Sequence, residues 1–257
     1  MDRVARDHRP RHCSLPLLLA VLLIGASAAA RGNEPAGDVS FTNDIVPILS
    51  KAGCNGGGCH GALAGKAGFR LSLFGYDPAS DHLAITREAL GRRVDLAKPA
   101  TSLLLTKPTM AVPHKGGKRL DVGSDDYQLL ASWITAGCPG PRAGERSLAS
   151  ISIEPAEAML APGEEVAFQV TARYSDGSSR DVTRWARFTS TDATVASVSS
   201  EGLATALGHG SGAITAWFSS QIAVGRVTSA FPHAIPPETF AAAPRANLID
   251  ELVLEQL

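Results

Sequence analysis

The chain has 257 residues, and its 24 Lys and Arg nearly balance its 25 Asp and Glu. The first 30 residues contain four Arg and two Asp, so the rest of the chain has a net charge of about −3 with neutral histidines. This balance leaves no dominant basic surface and excludes a typical nucleic-acid-binding protein. The remaining length predicts two domains of roughly 100 residues, each with its own core.

The N-terminus has the layout of a secretory signal peptide over residues 1–30. Four arginines precede an apolar run from Leu15 to about Ala26, and small residues follow at the cleavage position. The apolar run is short for a membrane span, and an uncleaved N-terminal anchor is the alternative. We therefore expect an exported chain, in the periplasm or at the cell surface, with no membrane segment beyond the signal peptide.

Residues 31–140 have a helical pattern that Gly and Pro interrupt. Asp44 is placed to cap a helix that continues through I-V-P-I-L-S-K. A second helix is predicted to begin after Ser124 and to end at Gly137, because both are favoured residues at those ends. Its apolar residues recur at helical spacing and form one stripe, made of Tyr127, Leu130, Trp133 and Ile134. This region is predicted to be all-α.

A linker at residues 141–147 separates the helical region from one with a two-residue period. Apolar residues alternate with polar or small ones from Val166 to Tyr174, and Asp176 and Gly177 then provide a hairpin turn. Further short strands are predicted around residues 185–189, 195–199, 203–207, 213–218 and 222–228. Many short strands separated by turn residues predict an all-β sandwich over residues 148–230.

The last part of the chain is predicted to be a Pro/Ala-rich linker at residues 231–245, followed by a helix at residues 246–257. The apolar residues of this helix lie on one side, and they are Leu248, Ile249, Leu252, Val253 and Leu257. Because so short an apolar stripe cannot bury itself, we expect the helix to begin a further, truncated domain.

The stretch with the most chemistry is G-C-N-G-G-G-C-H-G at residues 53–61. A phosphate-binding loop is excluded, because the pattern G-x-x-x-x-G-K-[ST] fails at His60 and at Ala67. A structural zinc site is disfavoured, because Cys59 and His60 are adjacent and a second ligand pair is missing.

Two interpretations of this stretch remain. In an oxidising compartment, Cys54 and Cys59 could form a simple disulfide, which would leave His60 without a role. Alternatively, the stretch attaches haem covalently, since C-x-x-C-H is the attachment motif of c-type cytochromes. Here the spacing is two residues longer. The glycines of the insert can adopt positive φ and lack a Cβ, so the longer loop could bend outward while both thiols reach the cofactor.

A family resemblance favours haem. The stretch C-N-G-G-G-C-H-G-A-L-A-G-K-A-G-F-R-L-S-L-F-G-Y-D-P, with G-R-R-V-D, S-L-L-L-T-K-P and V-P-H-K-G-G-K-R downstream, closely resembles the planctomycete-type cytochrome c domain. The resemblance covers roughly residues 40–140. It implies one covalent haem c, attached through Cys54 and Cys59, with His60 as the proximal iron ligand. Similarly, R-A-N-L-I-D-E-L-V-L-E-Q-L resembles the opening of a domain of unknown function that commonly follows this cytochrome domain.

The loop before the second helix contains two candidates for the sixth iron ligand. His114 is preferred, because the family pattern has P-H-x-G-G at this point, and Met110 is the alternative. A second imidazole would lower the reduction potential, and a thioether would raise it. Three nearby basic residues could contact haem propionates or an acidic partner, and they are Lys115, Lys118 and Arg119. Cys138 is expected to be unpaired or to pair between molecules.

The β region resembles the bacterial immunoglobulin-like group 2 domain, through L-A-S-I-S-I-E-P-A-E-A-M-L-A-P-G at its start and T-S-T-D-A-T-V-A-S-V-S-S-E-G-L-A-T-A-L-G further on. Such modules occur in surface and adhesion proteins. We expect Trp185 and Trp217 to lie in its core and the module to act as a spacer or to bind a cell-envelope component.

The sequence therefore predicts an exported electron carrier, with an all-α cytochrome c-like domain joined to an all-β immunoglobulin-like sandwich. Its redox partner would be another protein. An open sixth position would instead suit peroxide chemistry, so an enzymatic activity is left undecided. The alternative is a cell-surface binding or adhesion protein with a Cys54–Cys59 disulfide and no haem.

Overall fold

The computed structural model describes residues 39–233 and 235–255. The predicted signal peptide and Leu257 therefore lie outside the described residues. Among these residues, no helix is long and apolar enough to cross a membrane.

The part up to residue 140, called here the helical module, is built from short helices joined by turns. Its α-helices are α1 (Val46–Lys51), α2 (Pro78–Thr86), α3 (Leu103–Thr106) and α4 (Asp125–Thr135). A π-helical turn at Phe41–Ile45 precedes α1, and 3₁₀ turns lie at Leu73–Gly75, Glu88–Gly91 and Pro99–Thr101. The region is helical in character, but its helices are few and short, and a complete all-α cytochrome fold stays a prediction.

The caps explain where the helices of this module begin. The Ser124 side chain accepts a hydrogen bond from the backbone N–H of Tyr127 at the start of α4, as predicted. The prediction for the first helix was wrong, because Ser40 and not Asp44 is the N-cap. The Ser40 hydroxyl accepts from the backbone N–H of Asn43, and Asp44 instead accepts from the backbone N–H of Ser40. Each residue therefore binds a free N–H at this helix end.

The core of the helical module packs around Trp133 of α4. Its indole N–H donates to the carbonyl of Pro139 at 2.9 Å, and its ring lies 5.4 Å from that of Phe41. The predicted stripe of α4 is confirmed, since Leu130, Trp133 and Ile134 are buried. Val46, Ile48 and Leu49 of α1 are also buried in this core, and the cysteine loop follows α1 directly.

The part from residue 148 to 229, called here the sandwich, contains ten strands. They are β1 (Leu148–Glu154), β2 (Glu157–Met159), β3 (Glu165–Ala167), β4 (Gln169–Tyr174), β5 (Ser179–Asp181), β6 (Arg187–Ser190), β7 (Ala196–Val198), β8 (Leu203–Ala206), β9 (Gly210–Phe218) and β10 (Gln221–Ser229). The strand orders in the three sheets are β1-β4-β5, β2-β10-β9-β6 and β3-β8-β7. Pairing is antiparallel except between β2 and β10. The predicted all-β sandwich is confirmed.

The alternating run from Val166 to Tyr174 does not form one strand. It divides at Phe168, so that β3 pairs with β8 in one sheet and β4 pairs with β1 in another. The inward residues still alternate, because Val170 and Ala172 are fully buried beside Phe168. The predicted turn at Asp176 and Gly177 joins β4 to β5. A single alternating run therefore supplies strands to two of the three sheets.

The region after β10 contains two further helices, α5 (Pro237–Ala241) and α6 (Leu248–Leu254). The predicted linker therefore includes a short helix, in which Pro237 occupies the first turn, where its missing N–H costs no bond. Asn247 caps α6, and four apolar side chains of α6 are exposed, those of Leu248, Ile249, Leu252 and Val253.

Candidate functional site

The cysteine loop, residues 54–61, follows α1 and folds back on itself. The backbone N–H of Cys54 donates to the carbonyl of Leu49 at the end of α1, at 2.8 Å. The backbone N–H of His60 then donates to the carbonyl of Cys54 at 2.9 Å. These bonds bring the two ends of the loop together, so both cysteines and the histidine lie within one compact turn.

The sequence predicts positive φ at the glycines of the insert, and this prediction was wrong. Gly56, Gly57 and Gly58 have ordinary backbone angles, and positive φ occurs just before the loop at Gly53. The glycine that the loop most needs is Gly61, where an added Cβ would lie 1.9 Å from the carbonyl oxygen of Asn55. The requirement is close approach of two backbone segments, which only a residue without a side chain permits.

The structure brings His60 and His114 together from distant parts of the chain. Their ring centroids are 6.5 Å apart, and their planes are inclined by only 9°. His60 Nδ1 lies 3.0 Å from the carbonyl oxygen of Phe69, and His114 Nδ1 lies 2.9 Å from that of Gly117. Because a carbonyl oxygen can only accept, each Nδ1 carries the proton and donates it. Each Nε2 therefore keeps a lone pair that is available to a metal ion.

Neighbouring groups fix the orientation of both rings. The ring centroids of Phe69 and His60 are 4.5 Å apart, and the Arg93 guanidinium stacks on the Phe69 ring at 4.4 Å. Arg93 is buried and donates to the carbonyls of Ala84 and Gly68 at 2.7 and 2.8 Å. These contacts hold the Phe69 carbonyl, and hence the His60 tautomer, in place.

On the other side of the pair, Gly116 lies against the His114 ring. A Cβ added at Gly116 would be 2.7 Å from Cε1 of that ring, so the glycine allows the ring to lie flat on the backbone. Three supporting residues could not be identified from the sequence: Phe69, whose carbonyl accepts from His60, Arg93, which stacks on Phe69, and Gly116, which makes room for the His114 ring. Only the P-H-x-G-G pattern contained a signal, because it included a glycine two residues after the histidine.

The electrostatics of the site disfavour the charged forms of His60 and Cys54. Burial lowers the pKa of His60, and the nearby His114 and Arg93 lower it further against the opposing hydrogen bond to Phe69. Burial raises the pKa of Cys54 to about 11, and the neighbouring Cys59 contributes. Cys54 and Cys59 are both free thiols. Neutral imidazole is the form that binds metals.

One buried polar atom of the loop is without a partner in the described chain. Asn55 is 1% exposed, and its amide nitrogen donates to the Ser50 hydroxyl at 2.8 Å, but its Oδ1 accepts no hydrogen bond. Such atoms are rare in folded proteins.

The remaining residues singled out in the sequence lie in other settings. Met110 occupies a turn with φ of 63°, and its side chain is 47% exposed. His82 Nε2 lies 2.8 Å from the carbonyl oxygen of Cys138, so it is a proton donor there and not a free ligand atom. Cys138 is buried. Across residues 39–233 and 235–255, no three His, Cys, Asp or Glu side chains form a cluster that could hold a bare metal ion.

The family comparison concerns the sandwich. Residues 147–222 match the family model of the bacterial Ig-like domain (group 2). This match confirms the resemblance drawn from the sequence, and the segment is a bacterial Ig-like domain.

Similar proteins include Ice-binding protein 1 of Shewanella frigidimarina (strain NCIMB 400), which is 38% identical over 96 residues. The match covers 34% of this chain and 11% of that protein. Among solved structures, domains 4 and 5 of the S-layer protein SbsC match with 18% identity and a TM-score of 0.28, over 34% of this chain and 54% of that one. Domains 5–6 match with 20% identity and a TM-score of 0.30, over 36% and 48%. The chain thus spans about a tenth of the curated relative and about half of these solved chains.

Proposed function

We propose that the helical module is an exported c-type cytochrome module that binds one haem c and transfers single electrons. In this proposal Cys54 and Cys59 attach the haem, His60 is the proximal ligand and His114 the distal ligand. The observation that carries the proposal is the parallel pair of histidines with two free Nε2 atoms.

The spacing of the pair fits a metal ion between the rings. Imidazole nitrogens bind metals such as zinc at about 2.0–2.1 Å, and a ring centroid lies roughly 1.1 Å behind its nitrogen, so two axial rings are about 6.3 Å apart. The observed separation between the centroids of His60 and His114 is 6.5 Å. His60 and His114 would hold the iron of a bound haem through their Nε2 atoms, and the porphyrin would supply its remaining ligands.

The thiols also fit covalent attachment. Thioether formation adds each S–H across a vinyl double bond and needs no oxidant, whereas a disulfide forms by attack of a thiolate. The raised pKa of Cys54 keeps that residue as a thiol. Exposed apolar side chains flank the loop at Leu63 and Leu73, and a flat apolar ligand would cover such side chains.

The bound haem would supply the one-electron chemistry of its iron. The chain sets the conditions for it: a second imidazole from His114 would lower the reduction potential and fill the sixth position. A filled sixth position favours electron transfer over peroxide chemistry. The buried Leu71 and the Phe69 ring would shield one side of the site from water.

A second candidate is a cell-surface binding or adhesion protein with a Cys54–Cys59 disulfide and no haem. The identity with a protein named for ice binding favours this candidate, and residues 147–222 match an Ig-like domain and not a redox domain. The export of the chain follows, in both candidates, from the signal-peptide pattern at residues 1–30.

Expression in a host with haem c maturation separates the candidates. The proposal predicts a red chromophore that stays with the chain through a denaturing gel and acid–acetone extraction. A colourless product whose mass is lower by two hydrogens would instead support the disulfide-containing binding protein.

Paired variants test the distal ligand. His114→Ala should abolish the six-coordinate low-spin spectrum, while Met110→Ala should leave it unchanged. The opposite pattern would assign Met110 as the ligand.

A further inference from the structure

We propose that the sandwich is not a passive spacer but a clamp that positions the cysteine loop from both of its flanks. The clamp is formed by residues of the sandwich that contact α1 and the turn at Leu73–Gly75. The predicted effect on the haem rests on the proposed function, whereas the positioning of the loop does not.

The first contact is made by Lys51, the last residue of α1, three positions before Cys54. Its Nζ donates to the carbonyl of Ala186 at 2.7 Å and to that of Ser200 at 2.5 Å. Both acceptors belong to the sandwich. Burial of the amine in this contact lowers the pKa of Lys51. The end of α1 is therefore attached to the sandwich by a charged group with two backbone acceptors.

The second contact is made by Phe74, which lies on the other side of the loop. Its ring centroid is 5.4 Å from that of Trp217 on β9, and the Arg187 guanidinium of β6 lies 5.8 Å from the same ring. The backbone N–H of Phe74 donates to the carbonyl of Asn55 inside the cysteine loop at 3.1 Å. Phe74 has φ of 55°, a conformation that a bulky residue adopts only when its surroundings impose it.

Trp217 was predicted to lie in the core of the sandwich, and this prediction was wrong. Its ring instead contacts Phe74. It lies on the outer face of β9, where it is partly exposed, and it pairs across the strands with Arg187 and Ile222. The outer face of this sheet thus holds the aromatic turn that supports the loop.

A third group of contacts fixes how the two parts meet. Arg180 of β5 pairs with Asp44 at 2.7 Å and stacks on Trp185 at 4.3 Å. The indole N–H of Trp185 donates to Asp126 of α4 at 3.1 Å, and Arg184 also pairs with Asp126. Both ion pairs join a base of the sandwich to an acid of the helical module, so they define one relative placement.

The accessibility of Cys54 in the full chain without haem tests the clamp directly. We predict that Trp217→Ala increases the rate of Cys54 alkylation at least tenfold, measured by peptide mass spectrometry after iodoacetamide treatment. Trp217→Phe should restore the slow rate, because it retains an aromatic ring against Phe74. Val224→Ala is the matched control, since Val224 is 57% exposed on the adjacent β10 and should give the wild-type rate.

Cys138 reports whether the variant is folded, because this buried thiol becomes reactive only on unfolding. If Trp217→Ala also exposes Cys138, the test passes to Lys51→Met, which removes the two bonds of Nζ but keeps the length of the side chain. Lys51→Met should then increase Cys54 alkylation with Cys138 still protected. An unchanged Cys54 rate in folded Trp217→Ala, or in folded Lys51→Met, would overturn the clamp.

The haem-loaded protein provides a second measurement. Opening the clamp admits water to the loop and favours the more highly charged ferric state, so the midpoint potential of Trp217→Ala should fall below that of Val224→Ala. The two claims fail separately. Faster alkylation in a chain that never binds haem would retain the clamp and reject the cytochrome proposal, while a haem-binding chain with unchanged alkylation would do the reverse.

Discussion

The helical module and the sandwich satisfy their backbones in different ways. In the sandwich, β9 and β10 pair continuously from Phe218 and Gln221 to Gly210 and Ser229. In the helical module, the longest helix has 11 residues, and many carbonyls accept from side chains, as those of Ala84 and Gly68 do from Arg93. The sandwich is therefore stabilised by regular backbone hydrogen bonds between strands, whereas the helical module depends on hydrogen bonds from individual side chains.

Unusual backbone angles are distributed in the same unequal way. Of the seven non-glycine residues with positive φ in the described chain, six lie between Ala67 and Cys138 and one, Ser219, lies in the sandwich. Each left-handed residue of this kind costs roughly 1–2 kcal/mol, and such residues cluster at functional sites. The chain therefore concentrates backbone strain in the helical module and keeps the sandwich regular.

The largest expected effect is at Trp133, on which the helical module depends. Trp133→Ala removes a fully buried ring and its hydrogen bond to Pro139, so we expect a loss of about 3–5 kcal/mol in the free energy of unfolding. Urea denaturation followed by circular dichroism measures it, with Phe231→Ala, at an exposed site, as the control. A loss below about 1 kcal/mol would show that the module does not depend on this ring.

The ionisation of Cys54 gives the next largest effect. Its pKa of about 11, against 9.0 for the ordinary thiol, predicts alkylation about 100-fold slower at pH 8 in the folded apoprotein than in urea. The rate should rise about tenfold per pH unit until the pH approaches 11. Because the unfolded thiol ionises first, this group also makes the fold less stable as the pH rises from about 9 to about 11, and Cys54→Ala should remove that part of the loss. Equal rates in folded protein and in urea would contradict the burial of Cys54.

Two glycines of the cysteine loop, Gly58 and Gly61, form a matched pair for comparison. At Gly61 an added Cβ would collide with the Asn55 carbonyl, whereas at Gly58 nothing lies within 4 Å. Gly61→Ala should therefore cost about 1–3 kcal/mol and reduce haem attachment, and Gly58→Ala should change the stability by less than about 0.5 kcal/mol. Urea unfolding and haem staining measure both. Similar losses for the two variants would show that the loop does not require the close approach at Gly61.

The smallest effect separates the contact between the two parts from ordinary surface charge. Arg180→Met leaves Asp44 unpaired in a half-buried position and should cost about 1–2 kcal/mol, between the values for surface and buried pairs. Arg226→Met breaks a 4.0 Å exposed pair with Glu157 and should cost about 0–0.5 kcal/mol. Thermal unfolding in low and high salt compares them. If both variants behave alike, the Arg180 pair does not join the two parts.

The features that could be predicted from the sequence are those with local signals. Ser124 caps α4 because a serine hydroxyl satisfies a free N–H, and Asp176 and Gly177 turn the chain because Gly adopts positive φ there. The first helix is capped by Ser40 and not by Asp44, which lies four residues further on and instead accepts from the backbone N–H of Ser40. The division of the long alternating run at Phe168 has no local signal.

The candidate site could be predicted only in part. The sequence identified Cys54, Cys59, His60 and His114 through a family resemblance, and the structure places the two histidine rings 6.5 Å apart with nearly parallel planes. The supporting role of Arg93 and the outward position of Trp217 could not be predicted. Each residue contacts a segment that is distant in the chain or in another module, and the local sequence does not indicate which segment that will be.

The most direct test of the account is the detection of bound haem in the matured, full-length protein. The account predicts one iron per chain, a chromophore that resists denaturation and extraction, and a six-coordinate low-spin spectrum that is lost in His114→Ala. Correctly matured protein that contains no iron porphyrin would contradict the account, and the paired histidines would then need another ligand.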